Sequence, residues 1–165
     1  NSSRKVSVDT SNVDSGNAGK DSLLSLDTEI FTNNRAGDTE TANGNWGLSL
    51  SYYWDQNWLS QGLELDYLSY DEDEKKVSLL AGLMYPRLQS RFPLYIKWNL
   101  GLGYFNGDRF GRESLAVDYN LYTGIRFFSG NMLFNIEVGS KNYTKLLEDK
   151  YLNSFVLASG LSVLF

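Results

Sequence analysis

Hydrophobicity in this chain repeats every second residue, and it does so in eight successive segments. "LLSLDTEIFTN" sets Leu24, Leu26 and Ile30 against Ser25, Asp27 and Glu29. "NWGLSLSYYW" sets Trp46, Leu48, Leu50, Tyr52 and Trp54 against Gly47, Ser49 and Ser51. The same alternation runs through "WLSQGLELDYLSY", "KVSLLAGLMY", "LYIKWNLGLGY", "SLAVDYNLYTGIRFF" and "MLFNIEVGSKNY", and through the closing stretch that ends "ASGLSVLF". Side chains on a strand point alternately to opposite faces, so this period predicts eight strands, each with one apolar and one polar face. Proline, which would interrupt a ladder, occurs only as Pro86 and Pro93, both in one connection, "YPRLQSRFP".

The connections alternate as well. "DQN" and "SGN" are tight turns, whereas "NRAGDTETANG", "DEDEK", "NGDRFGRE" and "TKLLEDKYL" are longer and mostly polar. Short turns would gather at one end of an up-and-down meander and loops at the other. The proline-flanked connection is the exception, long for a turn. Residues 1–20 are polar and rich in Ser, Asn and Asp, and are expected to form a tail outside the folded unit, which spans 21–165. The sequence starts at Asn1 and not Met, so a processed or trimmed start is expected, which leaves export open.

The polarity of the two faces decides which one points inward. An eight-stranded barrel encloses only enough room for side chains or one small ligand. The Leu, Trp, Tyr and Phe of the apolar face are too many and too large for that space. Gly47, Gly62, Gly82, Gly101, Gly103, Gly124, Gly139 and Gly160 all lie on the polar face, as the crowded side would require. The polar face is therefore the lumen, and the apolar face needs a solvent other than water. A bilayer provides it: a tilted strand of about 9–11 residues spans the hydrocarbon, and closure satisfies every backbone group. The alternatives, a soluble barrel or a two-sheet sandwich, leave the glycine-rich face unexplained. The reading is an all-β, eight-stranded antiparallel transmembrane β-barrel with meander topology. Aromatics make up 15% of the chain. Trp54, Trp58 and Tyr85 lie near the turn end and Trp46, Tyr67, Tyr104 and Tyr119 nearer the loop end, as two interfacial girdles would require.

These features resemble small bacterial outer-membrane barrels of the kind represented by the OmpA transmembrane domain, OmpX and the Ail-type proteins. The resemblance covers residues 21–165 and rests on strand number, loop asymmetry and the terminus. It implies an outer-membrane location, periplasmic termini and outward loops. It also implies that Gly160, Val163 and Phe165 form a terminal signal read by the barrel-assembly machinery, with Phe165 an interface anchor. Ala158 departs from the polar residue such signals carry at that place. The family includes anchors, adhesins, lipid enzymes and narrow channels, so it implies no single activity.

Chemistry is restricted by what is missing. There is no histidine and no cysteine, which removes the commonest general base and transition-metal ligand and any disulfide or thiolate site. Lipid A-modifying barrels typically use a histidine-containing site. A net charge of −5 argues against a nucleic-acid partner. The lumen parity collects Asp27, Glu29, Glu64, Asp66, Asp118 and Glu137 with Lys76, Lys97, Arg126 and Lys141. Glu64 and Asp66 could form an acid–base pair. The favoured reading is an ion-paired network filling the lumen, with Lys97 or Arg126 compensating that pair. Asp71, Asp73 and Glu74 could bind Ca²⁺, but "YDEDEKK" lacks the glycine and spacing of a calcium loop. Arg109, Phe110 and Arg112 could contact lipopolysaccharide phosphates or a host ligand. The expectation is a structural or surface-interaction barrel in contact with lipid and lipopolysaccharide, without catalysis, metal or cofactor; a lipid-modifying enzyme and a narrow channel are the alternatives.

Overall fold

The computed structural model describes residues 21–35, 38–40, 45–70, 74–107, 114–145 and 151–165. The strands are β1 (Ser22–Arg35), β2 (Asp38–Glu40), β3 (Trp46–Gln56), β4 (Leu59–Ser69), β5 (Lys75–Tyr85), β6 (Leu94–Asn106), β7 (Ser114–Ser129), β8 (Met132–Lys145) and β9 (Tyr151–Leu164). Each pairs antiparallel with its sequence neighbours, and β1 pairs with β9 from Leu23↔Leu164 to Arg35↔Leu152. That last pairing closes an eight-stranded barrel. The three-residue β2 pairs only with β1, from Asn33↔Glu40 to Arg35↔Asp38, and so begins inside the stretch expected to be loop.

Register fixes the shape. From Leu24 the pairings run through Tyr52, Leu63, Ala81, Leu100, Tyr119, Asn142 and Asn153 and return to β1 at Asn34, ten residues along. A ten-residue offset around eight strands requires a strand tilt of about 40°. Two hairpins close with two-residue turns, using Asn57 at φ 56° and Gly130 at φ 62°, the positive angles that match the twist of the strands.

Burial alternates along the eight long strands, as in the eBeBeBeB pattern that opens β3 (e exposed, B buried). Leu24, Leu50, Leu65, Leu79, Leu100, Leu121, Ile136 and Leu161 all point outward and exposed. Tyr119 lies opposite Leu100, deeper in the wall than Tyr104, which pairs with Leu115. The outward surface is dominated by apolar side chains, as a wall facing an apolar layer about 25 Å tall requires. The wall crosses a membrane by strands; no described helix is long and apolar enough to do so.

The inward face is less uniformly polar than its sequence parity suggests. Two apolar clusters occupy the two ends of the interior. Phe31, Leu68, Tyr70, Phe105, Tyr143 and Leu152 belong to the one at the loop end. Leu23, Tyr53, Met84, Leu88, Tyr95, Leu133 and Leu164 form the one at the turn end. The glycines make room for these large groups. A Cβ at Gly62 or Gly82 would collide with the ring of Tyr53, one at Gly124 with Tyr95, and one at Gly139 with Tyr122. Each of these three tyrosines thus sits against a strand neighbour that has no side chain.

Candidate functional site

Between the two apolar clusters lies a charged layer, built by residues from six strands. Lys141 of β8 reaches Glu29 of β1 and Asp66 of β4, with Nζ–O distances of 2.6 Å to each. Lys97 of β6 lies 2.8 Å from Glu137 of β8 and 3.3 Å from Glu64 of β4. Lys76 of β5 lies 2.6 Å from Asp118 of β7, and the Ser78 hydroxyl donates to the same Asp118 oxygen. Asp27 is held by Ser25 at 2.9 Å and by the Asn135 amide at 2.8 Å. None of these twelve groups is more than 5% exposed.

Aromatic hydroxyls stitch the layer to its surroundings. Tyr95 donates to Glu137 at 2.6 Å, and Tyr53 donates to Asn99 at 2.9 Å. The Lys97 ammonium lies 4.6 Å from the centre of the Tyr122 ring, and Lys76 lies 5.0 Å from that of Tyr143. Charges removed from water need such partners on all sides, because an uncompensated one inside costs several kcal/mol.

Arg126 departs from its expected role. It is buried in the lumen but does not compensate Glu64 or Asp66; Lys97 and Lys141 do. Its guanidinium turns to the turn end and grips the Pro86–Pro93 connection. Nε donates to the Phe92 carbonyl at 2.8 Å, and Nη2 to the Pro86 and Arg87 carbonyls at 3.1 and 3.2 Å. The physical reason is position: Arg126 pairs with Asn135 near the turn end of β7, where the free carbonyls of the connection are the nearest acceptors.

That connection explains its own length. It folds into a short 3₁₀ turn, Leu88–Ser90, and lies across the barrel end as a strap. Leu88 is inserted into the turn-end cluster at 2% exposure. Asp55 accepts from the Leu88 and Gln89 amides at 2.8 and 2.9 Å, and Ser60 accepts from the Leu88 amide at 3.0 Å. One space behind the strap, beside Asp27, Lys97 and Glu137, is about 20 Å³, room for roughly one water.

Glu64 and Asp66 are therefore adjacent carboxylates with lysine partners, buried at 1% and 0% exposure. Lys97 and Lys141 hold them within the charged layer. Among the described residues no cluster of metal-ligating acids occurs. Glu74 is buried, and Asp71 and Asp73 lie outside the described residues, as do Arg109, Phe110, Arg112 and the 1–20 tail. On the outside, Trp58 and Tyr85 meet edge to face with ring centres 5.8 Å apart, and Trp54 lies 5.7 Å from Tyr52. Phe165 stacks on Tyr52 at 6.0 Å. Trp46 lies 5.6 Å from Tyr67 at the loop end. Gly160 faces the lumen, where a Cβ would meet Asp27, and Val163 faces outward.

Inward aromatics such as Tyr53, Tyr95 and Tyr122 escaped the sequence reading, as did the partners of the strap. A signal was present: each of these tyrosines falls on lumen parity, and each is registered opposite a glycine.

No protein-family profile and no curated protein matches the sequence. Solved structures do. Neisserial surface protein A (NspA) superposes with a TM-score of 0.61 at 13% identity, covering 87% of this chain and 97% of that one. Ail, the attachment invasion locus protein of Yersinia pestis, solved with the heparin analogue sucrose octasulfate, gives 0.53 at 15% identity over 86% and 97%. The outer membrane enzyme PagL gives 0.57 at 19% identity over 84% and 97%. The chain has the fold of the small eight-stranded outer-membrane barrels.

Proposed function

We propose that this chain is a non-enzymatic outer-membrane barrel whose wall anchors it and whose loops engage a ligand at the cell surface. The observation that carries the reading is the filled interior. Among the described residues, ion pairs, aromatic clusters and the Arg126-held strap fill the lumen, so recognition falls to the loop end. Both ends of the closed barrel, β1 and β9, lie at the turn end, where Ser22 and Phe165 exchange backbone hydrogen bonds of 3.2 and 3.0 Å. In this reading the turn end and residues 1–20 face the periplasm, lipopolysaccharide surrounds the loop half of the wall, and the assembly machinery reads Gly160, Val163 and Phe165. Arg109, Phe110 and Arg112 are the proposed contact residues, and the sulfated ligand of Ail makes a sulfated polysaccharide the first probe to try.

Exchanging residues 106–113 for a short Gly/Ser turn is expected to spare folding, since loop tips tolerate change, and to weaken surface binding. Deleting Phe165 is expected to lower insertion in cells while purified chain still refolds in detergent; normal insertion would remove the signal. The likeness to PagL favours a second reading, a lipid-modifying enzyme. Acyl release from lipopolysaccharide by the pure protein would replace the first reading with that one. Steady single-channel conductance would replace it with a pore.

A further inference from the structure

The strap turns its polar backbone inward and its side chains outward. The Pro86, Arg87 and Phe92 carbonyls accept from Arg126, and the Leu88 and Gln89 amides donate to Asp55. Leu88 is the only buried residue of 87–93, so Arg87, Gln89, Arg91 and Phe92 are left exposed. Arg87 is tethered there: Nη1 donates to the Asn57 carbonyl in the β3–β4 turn at 3.0 Å. Asn57 precedes Trp58, which is 64% exposed and meets Tyr85, two residues before Arg87, edge to face. Arg91 stands at φ 50°, a left-handed angle held by its amide on the Leu88 carbonyl at 3.2 Å. Among the described residues neither Arg87 nor Arg91 has a carboxylate partner, and the acids at this end are already engaged, Asp55 by the strap amides and Ser60, Asp21 by Ser22. The turn between β7 and β8, by contrast, is Gly130 and Asn131 and carries no charge.

We propose that the strap and the β3–β4 turn form a headgroup site for an anionic phospholipid, with Arg87 and Arg91 on its phosphodiester and Trp58, Tyr85 and Phe92 against its glycerol ester region. Depth selects a lipid. Exposed Trp and Tyr at strand ends sit at the headgroup level of a bilayer, and the bond to Asn57 keeps a guanidinium at that level. Charge selects the phosphate, to which a guanidinium donates two parallel N–H bonds. The same charge selects an anionic lipid over a zwitterionic one. A choline or ethanolamine headgroup would bring its own cation beside two guanidinium groups, where Asp55 and Asp21 are already engaged. In the orientation proposed above, lipopolysaccharide surrounds the other half of the wall, so a phospholipid is the anion this end meets.

The inference rests on the wall lying in a bilayer, as proposed above, and the test separates the two. Insertion of the unaltered chain into phosphatidylcholine vesicles is checked first by heat-modifiable migration; failure there would overturn the membrane reading and this site with it. Trp46→Phe, Trp54→Phe and Trp98→Phe then leave Trp58 as the one indole. Its quenching by brominated phosphatidylglycerol is compared with quenching by brominated phosphatidylcholine. At low salt the anionic lipid is expected to be favoured about fivefold or more, because each arginine near a membrane surface attracts anionic lipid. The preference should shrink as salt rises. A control chain adds Trp58→Phe and Met132→Trp, which moves the indole to the uncharged β7–β8 turn, where no preference is expected. Arg91→Gln should reduce the preference at Trp58, and Arg87→Gln with Arg91→Gln should abolish it. Equal preference at the two indole positions would overturn the proposal, as would a preference that survives both substitutions or ignores salt. If inorganic phosphate relieves the quenching more than chloride does at equal ionic strength, the site takes a free anion and the lipid assignment falls.

Discussion

Glu64 and Leu65 are adjacent in β4 and have opposite fates. Glu64 is 1% exposed and lies 3.3 Å from one particular lysine, whereas Leu65 is 48% exposed and touches whatever lipid is there. The contrast holds along the whole wall. Inside, the lysines and carboxylates of the charged layer have named partners on other strands. Outside, side chains need only be apolar and of the height the bilayer asks. A barrel of this size holds two economies in one strand: specific pairing within, interchangeable solvation without. Substitutions should therefore be costly inside for reasons of partnership and outside only for reasons of polarity.

The largest effect is expected where one group serves two partners. Lys141→Met leaves Glu29 and Asp66 buried without their common cation. Breaking a buried pair from one side costs about 3–5 kcal/mol, so the folded state in detergent should lose at least that. Urea titration of the reconstituted barrel measures it. A loss below 1 kcal/mol would mean the charged layer is solvated and the inside is not special.

A charge on the outside should cost somewhat less. Leu100→Arg sets a cation in mid-wall and should destabilise by about 2–4 kcal/mol. Its neighbour Asn99→Ser gives up the hydrogen bond from Tyr53, worth about 1 kcal/mol. Similar small losses at both positions would break the assignment of the two faces.

The sequence carried the alternation, and with it the fold, because period two is a local property that each strand declares for itself. Which cation meets which carboxylate is not local. Lys141 and Asp66 are 75 positions apart, and their meeting depends on the ten-residue offset accumulated around the barrel. Arg126 shows the same limit: parity assigns it correctly to the lumen, but only its height on β7 turns it from the carboxylates to the strap. The strap could be suspected from the length of "YPRLQSRFP", yet its seat depends on Asp55 and Ser60, polar residues at a strand end that look like ordinary turn residues.

The strap offers an intermediate case, an inside contact at the edge of the barrel. Arg126→Met removes a charged donor from the Phe92, Pro86 and Arg87 carbonyls. Hydrogen bonds from a charged group are worth about 1.5–3 kcal/mol, and the loss should be felt locally. Amide exchange at Leu88 and Gln89 is expected to quicken at least tenfold while the amides of β4 and β5 keep their protection. Unchanged exchange would show that Asp55 and the buried Leu88 side chain hold the strap alone.

The finest test uses one substitution on two neighbours. Leu79 is 60% exposed and Leu80 is fully buried in the lumen, and both lie in the middle of β5. Leucine to isoleucine conserves volume and polarity, and it adds a β-branch that strands accept readily. At Leu79 lipid chains adapt to the new shape, so stability should change by less than about 0.5 kcal/mol. At Leu80 the surroundings are fixed by the strands on either side, and a branch moved by one carbon must be accommodated by packed neighbours. There the cost should reach about 1–1.5 kcal/mol, the upper range for isosteric swaps in a packed interior. The difference is small but has a definite sign, and it involves no charge, no hydrogen bond and no change in hydrophobicity. If the two variants unfold at the same urea concentration, the interior adapts as freely as lipid does, and the contrast between the faces reduces to charge alone.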